Sequence, residues 1–150
     1  EQKIREFTSK CDINCIILRF FNIYGVGQSD EYAGVITKFI EKIRQGKSLE
    51  IFGDGIQTRD FVAIDDVVNS IHNATSYDKS GTYNIASGNV VTINELAEII
   101  ICLSGKKLKI KYTFPKKGDI IYSQADISSA KNNFEYSPKI KLKDEIRQLL

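Results

Sequence analysis

The sequence predicts an α/β fold, and three observations carry that expectation. Short, nearly continuous apolar runs such as 16–21 read as strands buried in a parallel sheet. Between them lie stretches with apolar residues three and four apart, the spacing of a helix with one inward face. Turn and capping residues separate the two kinds of segment, and strands alternating with helices are what a layered α/β domain requires.

Taken in order, Glu1–Lys10 is charged, with Ile4 and Phe7 three apart, and reads as the end of a helix. Ile16-Ile17-Leu18-Arg19-Phe20-Phe21 follows as a buried parallel strand that ends at Asn22-Ile23-Tyr24-Gly25. Gly25 to Asp30 is a loop. From Gly34 to Gln45, Val35, Ile36, Phe39, Ile40 and Ile43 form a helical stripe, and Gly46 stands at its C-terminal stop.

The next stretch, 51–61, organises the rest. Ile51-Phe52 and Phe61–Ile64 flank a polar connection in which Gly53, Asp54 and Gly55 are turn formers. Two readings stand side by side. One is a hairpin with a surface Arg59–Asp60 pair. The other is an arginine held beside a glycine turn, where its planar fork suits a phosphate.

Asp65-Asp66 open a second helix, at the end where its dipole favours acidic residues. Val67, Val68, Ile71 and Ala74 form its apolar face, and the only histidine, His72, flanks that face as a structural or surface residue. Tyr83–Ala86 reads as a short strand. Thr92 and Glu95 make a capping box before Leu96, Ala97, Ile100 and Leu103, with Gly105 closing the helix. Leu108–Phe114 alternates apolar and basic residues like an exposed strand, and Lys116–Asp119 is a polar turn. Asp126–Lys131 starts a short helix, and Leu142, Ile146, Leu149 and Leu150 mark a last one.

Bulk properties narrow the function classes. A chain of 150 residues suffices for one domain with a real core. With 21 basic and 19 acidic residues intermixed, it is too balanced to bind nucleic acid by bulk electrostatics. No apolar run approaches the roughly 20 residues of a membrane span, and no signal peptide is visible. The cysteines Cys11, Cys15 and Cys102 form no CxxC pair, and with one histidine they argue against zinc. An odd number of thiols in apolar contexts fits a reducing cytoplasm. The chain has no methionine and begins at Glu1, which leads to the expectation that it is a fragment lacking an N-terminal part.

Three patterns bear on chemistry. Gly25-Val26-Gly27 follows a strand and precedes a helix, but Asp30 stands where a dinucleotide loop needs its third glycine. Gly53-Asp54-Gly55 lacks that glycine too and runs into a strand, so both read as turns. Tyr112 and Lys116 match the Tyr-x-x-x-Lys spacing of a proton-abstracting pair, yet Pro115 and strand-like alternation deny them a shared helical face. What remains is a set of polar groups at the ends of apolar elements: Asn22, Arg59, Lys116 and Asp119. Loops at one edge of an α/β sheet converge on a crevice. Two cations and an amide could hold a pyrophosphate there, and a carboxylate could accept from a ribose diol. Phe52 or Phe61 could lie against a base.

These segments, in this order, resemble the NAD-dependent nucleotide-sugar epimerase/dehydratase family, the extended short-chain dehydrogenases. The likeness runs through Leu18-Arg-Phe-Phe-Asn-Ile-Tyr-Gly25, Tyr32-Ala-Gly-Val-Ile36, Ile51–Phe61 and Asp65-Asp-Val67. It continues through Tyr83-Asn-Ile-Ala-Ser-Gly88, Gly118-Asp119 and Ala125–Lys131, and it is nearest the UDP-glucose 4-epimerase branch. The resemblance implies the C-terminal part of an extended Rossmann-type enzyme: the last sheet strands plus a small α/β substrate-binding domain spanning 1–150. It implies that Asn22, Arg59 and Lys116 meet the diphosphate of a UDP- or dTDP-sugar and that Asp119 meets the ribose. Lys116 replaces the family's arginine and loses its bidentate fork. Val35, Leu49 and Phe52 would line the uridine pocket, and Phe20 would lie on the NAD side near the nicotinamide. The family's NAD loop and catalytic Tyr-x-x-x-Lys pair fall upstream of Glu1. By resemblance, then, the chain alone does not turn over substrate, while the parent enzyme uses NAD, works in the cytoplasm and dimerises. Epimerase and dehydratase remain open, as does a non-catalytic nucleotide- or protein-binding domain.

Overall fold

Strands in this protein pair with partners far away in the chain, which sets the fold apart from a series of hairpins. The computed structural model describes residues 1–28 and 34–150. Its elements are α1 (Gln2–Lys10), β1 (Ile16–Phe20), β2 (Asn22–Tyr24), α2 (Val35–Arg44), β3 (Leu49–Phe52), β4 (Thr58–Ala63), α3 (Ile64–Thr75), β5 (Gly81–Ile85), β6 (Val90–Thr92), α4 (Ile93–Ser104), β7 (Ile110–Thr113), α5 (Ser128–Phe134) and α6 (Leu142–Leu149). The α/β expectation holds. Parallel pairs join β1 to β5, β2 to β4 and β3 to β7, and β6 runs antiparallel along the other edge of β4.

The hairpin reading is therefore corrected. β3 and β4 flank the glycine turn but belong to different sheets. The turn is instead fastened to the start of α4. The Ile93 and Asn94 amides, which have no partner inside their own helix, donate to Gln57 O and Gly55 O at 3.1 and 3.0 Å. Asn94 Nδ2 also donates to Asp54 O at 2.9 Å. Gly55 has to be glycine here. Its φ is +77°, and a Cβ would sit 2.0 Å from Asn94 Oδ1.

Two apolar cores result. The larger gathers α2, α4 and α6 around β3 and β4, with Ile36, Ile43, Leu49, Ile51, Leu96, Ile100 and Ile146 almost without exposed surface. Helix α2 buries the predicted stripe, Ile36, Phe39, Ile40 and Ile43, with Val35 at its margin. The capping box of α4 is present as read, and Gly105 ends that helix in the left-handed region. The second core packs β5, α3 and α5 around edge-to-face rings. The Tyr83 and Phe134 centroids lie 5.0 Å apart, with Tyr77 against both.

Two expectations about buried faces fail. Segment 16–21 is a parallel strand but not a buried one: β1 has no fully buried residue, and Phe20 is 42% exposed. The cause is topological, since among the described residues β1 pairs only with β5. On α3 the inward face is Asp66, Val67, Ser70 and Ala74, while Val68 and Ile71 point outward. Asp66 turns inward because its carboxylate accepts from the Lys139 and Ile140 amides at 3.0 and 3.1 Å, which ties the chain before α6 to α3. His72 is exposed on α3. Cys11 and Cys102 are exposed free thiols and Cys15 is half-buried, so the apolar setting expected for them does not hold. No helix among the described residues is long and apolar enough to cross a membrane.

Candidate functional site

The C-terminal ends of the parallel strands β2 and β3 open onto a cleft of about 380 Å³. Asn22, at the start of β2, Arg59 on β4, and Lys116 and Asp119 beyond β7 all line it, so residues nearly a hundred positions apart share one wall. Val35 and Phe52 line it as well. Phe52 is there because β3 alternates. Leu49 and Ile51 face the core, and Glu50 and Phe52 face outward.

Arg59 is the most constrained of these groups. Its side chain is 16% exposed, and Nη2 donates to Asp119 Oδ1 at 2.5 Å. Nη1 donates to Thr58 O at 2.7 Å and Ile120 O at 2.5 Å. The Arg59–Asp60 surface pair is thus overturned. Arg59 pairs with Asp119 instead, because consecutive residues of a strand face opposite ways. These bonds use both Nη1 hydrogens and one on Nη2. Lys116 lies with Nζ 4.1 Å from the centroid of the Phe52 ring, a cation–π contact that keeps its ammonium beside the cleft. Asn22 donates one Nδ2 hydrogen to Asp60 O at 2.8 Å, leaving its second hydrogen and its carbonyl oxygen.

Other sequence-derived positions fall elsewhere. Leu49 has no exposed surface and packs into the larger core, so its side chain does not line the cleft as expected. Phe61 reaches the cleft wall but is 7% exposed and packs edge-to-face on Tyr24, a core role, while Phe52 is the more exposed of the two rings. Phe20 stands exposed at the end of β1, away from the cleft lining. Tyr112 is on strand β7 with its hydroxyl donating to Asn94 Oδ1 at 3.1 Å, so it shares no helical face with Lys116. Asp30 and Tyr32 lie outside the described residues.

Tyr24, Gln57 and Glu50 also reach the cleft and were not singled out from sequence. For Glu50 a signal existed, because strand alternation puts it beside Phe52. Burial, with Glu145 and Asp66 adding their negative charge, pushes the Tyr24 hydroxyl far above its usual range. It stands as a neutral phenol and is unsuited to act as a base. A second, wider recess of about 1060 Å³ shares Phe52, Gln57, Lys116 and Asp119 with the cleft, so these residues form a partition between the two.

The arrangement pairs an apolar wall with two cations, an amide and a carboxylate, which suits a ligand carrying a ring at one end and anionic oxygens further along. Comparison with known proteins identifies relatives of the chain. Residues 1–86 match the NAD dependent epimerase/dehydratase family. A UDP-glucuronate 4-epimerase of Thermodesulfobacterium geofontis is 33% identical over 133 residues, 88% of this chain and 41% of that protein. The crystal structure of UDP-glucose 4-epimerase from Thermotoga maritima with UDP-glucose superposes with a TM-score of 0.93 at 31% identity, covering 97% of this chain and 48% of that one. UDP-glucuronic acid 4-epimerase from Bacillus cereus, in complex with UDP-glucuronic acid and NAD, gives 0.86 at 29% identity, covering 97% and 49%. The chain spans about half the length of the curated relatives it matches.

Proposed function

The chain belongs to the NAD dependent epimerase/dehydratase family, and on that footing we propose that it forms the substrate-binding part of a UDP-glucose 4-epimerase-like enzyme. The observation that carries this reading is the convergence of Asn22, Arg59, Lys116 and Asp119 on one cleft with Val35 and Phe52. Arg59 and Lys116 hold the diphosphate, Asn22 adds an amide donor, Asp119 accepts from the ribose, and the base lies against Phe52 and Val35. Arg59 contributes through charge-assisted hydrogen bonds, while Lys116 acts as a point charge that leaves the Phe52 ring for phosphate. The solved relatives hold UDP-sugars, which favours uridine over thymidine.

NAD, which supplies hydride transfer in this family, finds no cradle among the described residues. A Cβ on Gly25 would sit 2.4 Å from Ile64 Cγ2, so that glycine serves packing against α3. Gly53–Gly55 leads into β4 and is fastened to α4. The neutral Tyr24 supplies no base. No chemical step is therefore assigned to these residues, whose work is to bind and orient.

The test is calorimetric titration of UDP-glucose and of UDP into the protein, beside Arg59→Ala. Binding is expected to weaken by about 1.5–3 kcal/mol in the variant, the range for a hydrogen bond to a charged group. Equal affinity in both proteins would remove the diphosphate from Arg59.

A further inference from the structure

We propose that Asp60 is the positioning residue of this cleft, setting the phosphate-facing and ribose-facing groups together from below. The proposal rests on the ligand reading above only for its second measurement. Asp60 follows Arg59 on β4 and points the other way, with no exposed surface. Among the described residues no cation pairs with it. Its charge is held entirely by directed donors. Oδ1 accepts from Ser87 N at 2.9 Å and Ser87 Oγ at 2.7 Å, and Oδ2 accepts from Gly88 N at 3.0 Å and Ala125 N at 3.4 Å. A buried carboxylate is tolerated only with such a set of partners, and each partner is in turn fixed by it.

What Asp60 fixes is the chain carrying half the site. Segment 119–125 has no regular secondary structure, yet it lies along the first three residues of β4 and is bound by each. Arg59 holds Asp119 and the Ile120 carbonyl. Thr58 donates its amide to Ile121 O at 2.8 Å and accepts from Ser123 N at 3.3 Å through Oγ1. Asp60 anchors the end at Ala125. On its other side, the Asp60 carbonyl accepts from Asn22 Nδ2. One residue thus orients Asn22 through its carbonyl and terminates the segment bearing Asp119 through its carboxylate. Arg59, between them, receives two of its partners from that segment.

Asp60→Asn keeps shape but turns one acceptor into a donor facing amide hydrogens. Asp66→Asn is the comparator, because Asp66 also accepts two backbone amides from a buried position, but from Lys139 and Ile140 rather than from segment 119–125. Two measurements decide. In the unliganded proteins, amide exchange across 119–125 should rise by about tenfold or more in Asp60→Asn and stay at the parent level in Asp66→Asn. In titrations, UDP should bind Asp60→Asn at least about tenfold more weakly, whereas uridine, which meets Asp119 but none of the phosphate-facing groups, should lose only about threefold. Unchanged exchange across 119–125, or equal loss for UDP and uridine, would overturn the proposal. A parent protein that binds neither ligand would sink the proposed function and leave the exchange result to decide Asp60. If Asp60→Asn does not fold, Ser87→Ala, which deletes a single donor, should give the same direction at smaller size.

Discussion

β1 and β4 invert the ordinary relation between apolar sequence and burial. β1 reads Ile-Ile-Leu-Arg-Phe and has no fully buried residue, whereas β4 reads Thr-Arg-Asp-Phe-Val-Ala and buries everything from Asp60 to Ala63. The difference lies in their neighbours. β4 has β2 on one edge and β6 on the other, with α3 and α6 packed against it. Among the described residues, β1 has β5 alone on its edges. Apolar side chains state what a strand has to offer a neighbour, and the topology decides whether one is there to take it.

A pair of phenylalanines tests the contrast most directly. Phe61→Ala removes a 7%-exposed ring from β4 and should cost about 3–5 kcal/mol, the range for emptying a packed site. Phe20→Ala removes a 42%-exposed ring from β1 and should cost below about 1 kcal/mol. Denaturant unfolding of both variants reads the difference, and equal costs would break the comparison. The same inside–outside contrast recurs between neighbours at the start of α3. Asp66→Ala strands the Lys139 and Ile140 amides and should cost about 1–3 kcal/mol, while Asp65→Ala, at an exposed position, should stay within about 0.5 kcal/mol.

Smaller effects sharpen the account of how β4 is covered. Thr92 pairs with Thr58 across β6 and β4 and caps α4, so Thr92→Ala should cost about 1 kcal/mol and loosen that edge. Its capping partner gives the smallest signal. The Thr92 amide, and then its hydroxyl, hold the Glu95 carboxyl below its ordinary value. A depressed carboxylate adds stability above its unfolded pKa and loses it as pH falls through the folded one. Glu95 is exposed, so the acid-side loss should be no more than about 0.5 kcal/mol. Unfolding midpoints of the parent and Glu95→Gln should therefore differ near neutral pH and draw together as the pH falls below the ordinary carboxylate range.

Much of this molecule was legible in the chain. The stripe of α2, the capping box of α4 and its glycine stop are local signals, and local signals survive folding. The four polar cleft residues could be named because each stands where an apolar run stops or begins, and loops at one edge of an α/β sheet converge on a crevice. Pairing was not legible. Ile51 and Phe61 lie close enough in sequence to suggest a hairpin, and only non-local contacts send β3 to β7 and β4 to β2. Asp60 read as half of a surface pair and Asp66 as an acid at a helix start, and neither burial was legible, because their partners here are backbone amides, which carry no sequence signature. Leu49 was assigned to the cleft by likeness, whereas the alternation of its own strand turns it inward.

The fastening of turn 53–57 to the head of α4 bears on the speed and cost of recognition. A loop that must order itself around a guest gives up conformational freedom at that moment, and affinity falls accordingly. Here the glycine turn, Gln57 and the adjoining wall are already held by the first amides of a well-capped helix. Gln57, the one residue of the turn in the cleft wall, is set in place when the protein folds, so a ligand meeting it would owe no entropy for arranging it.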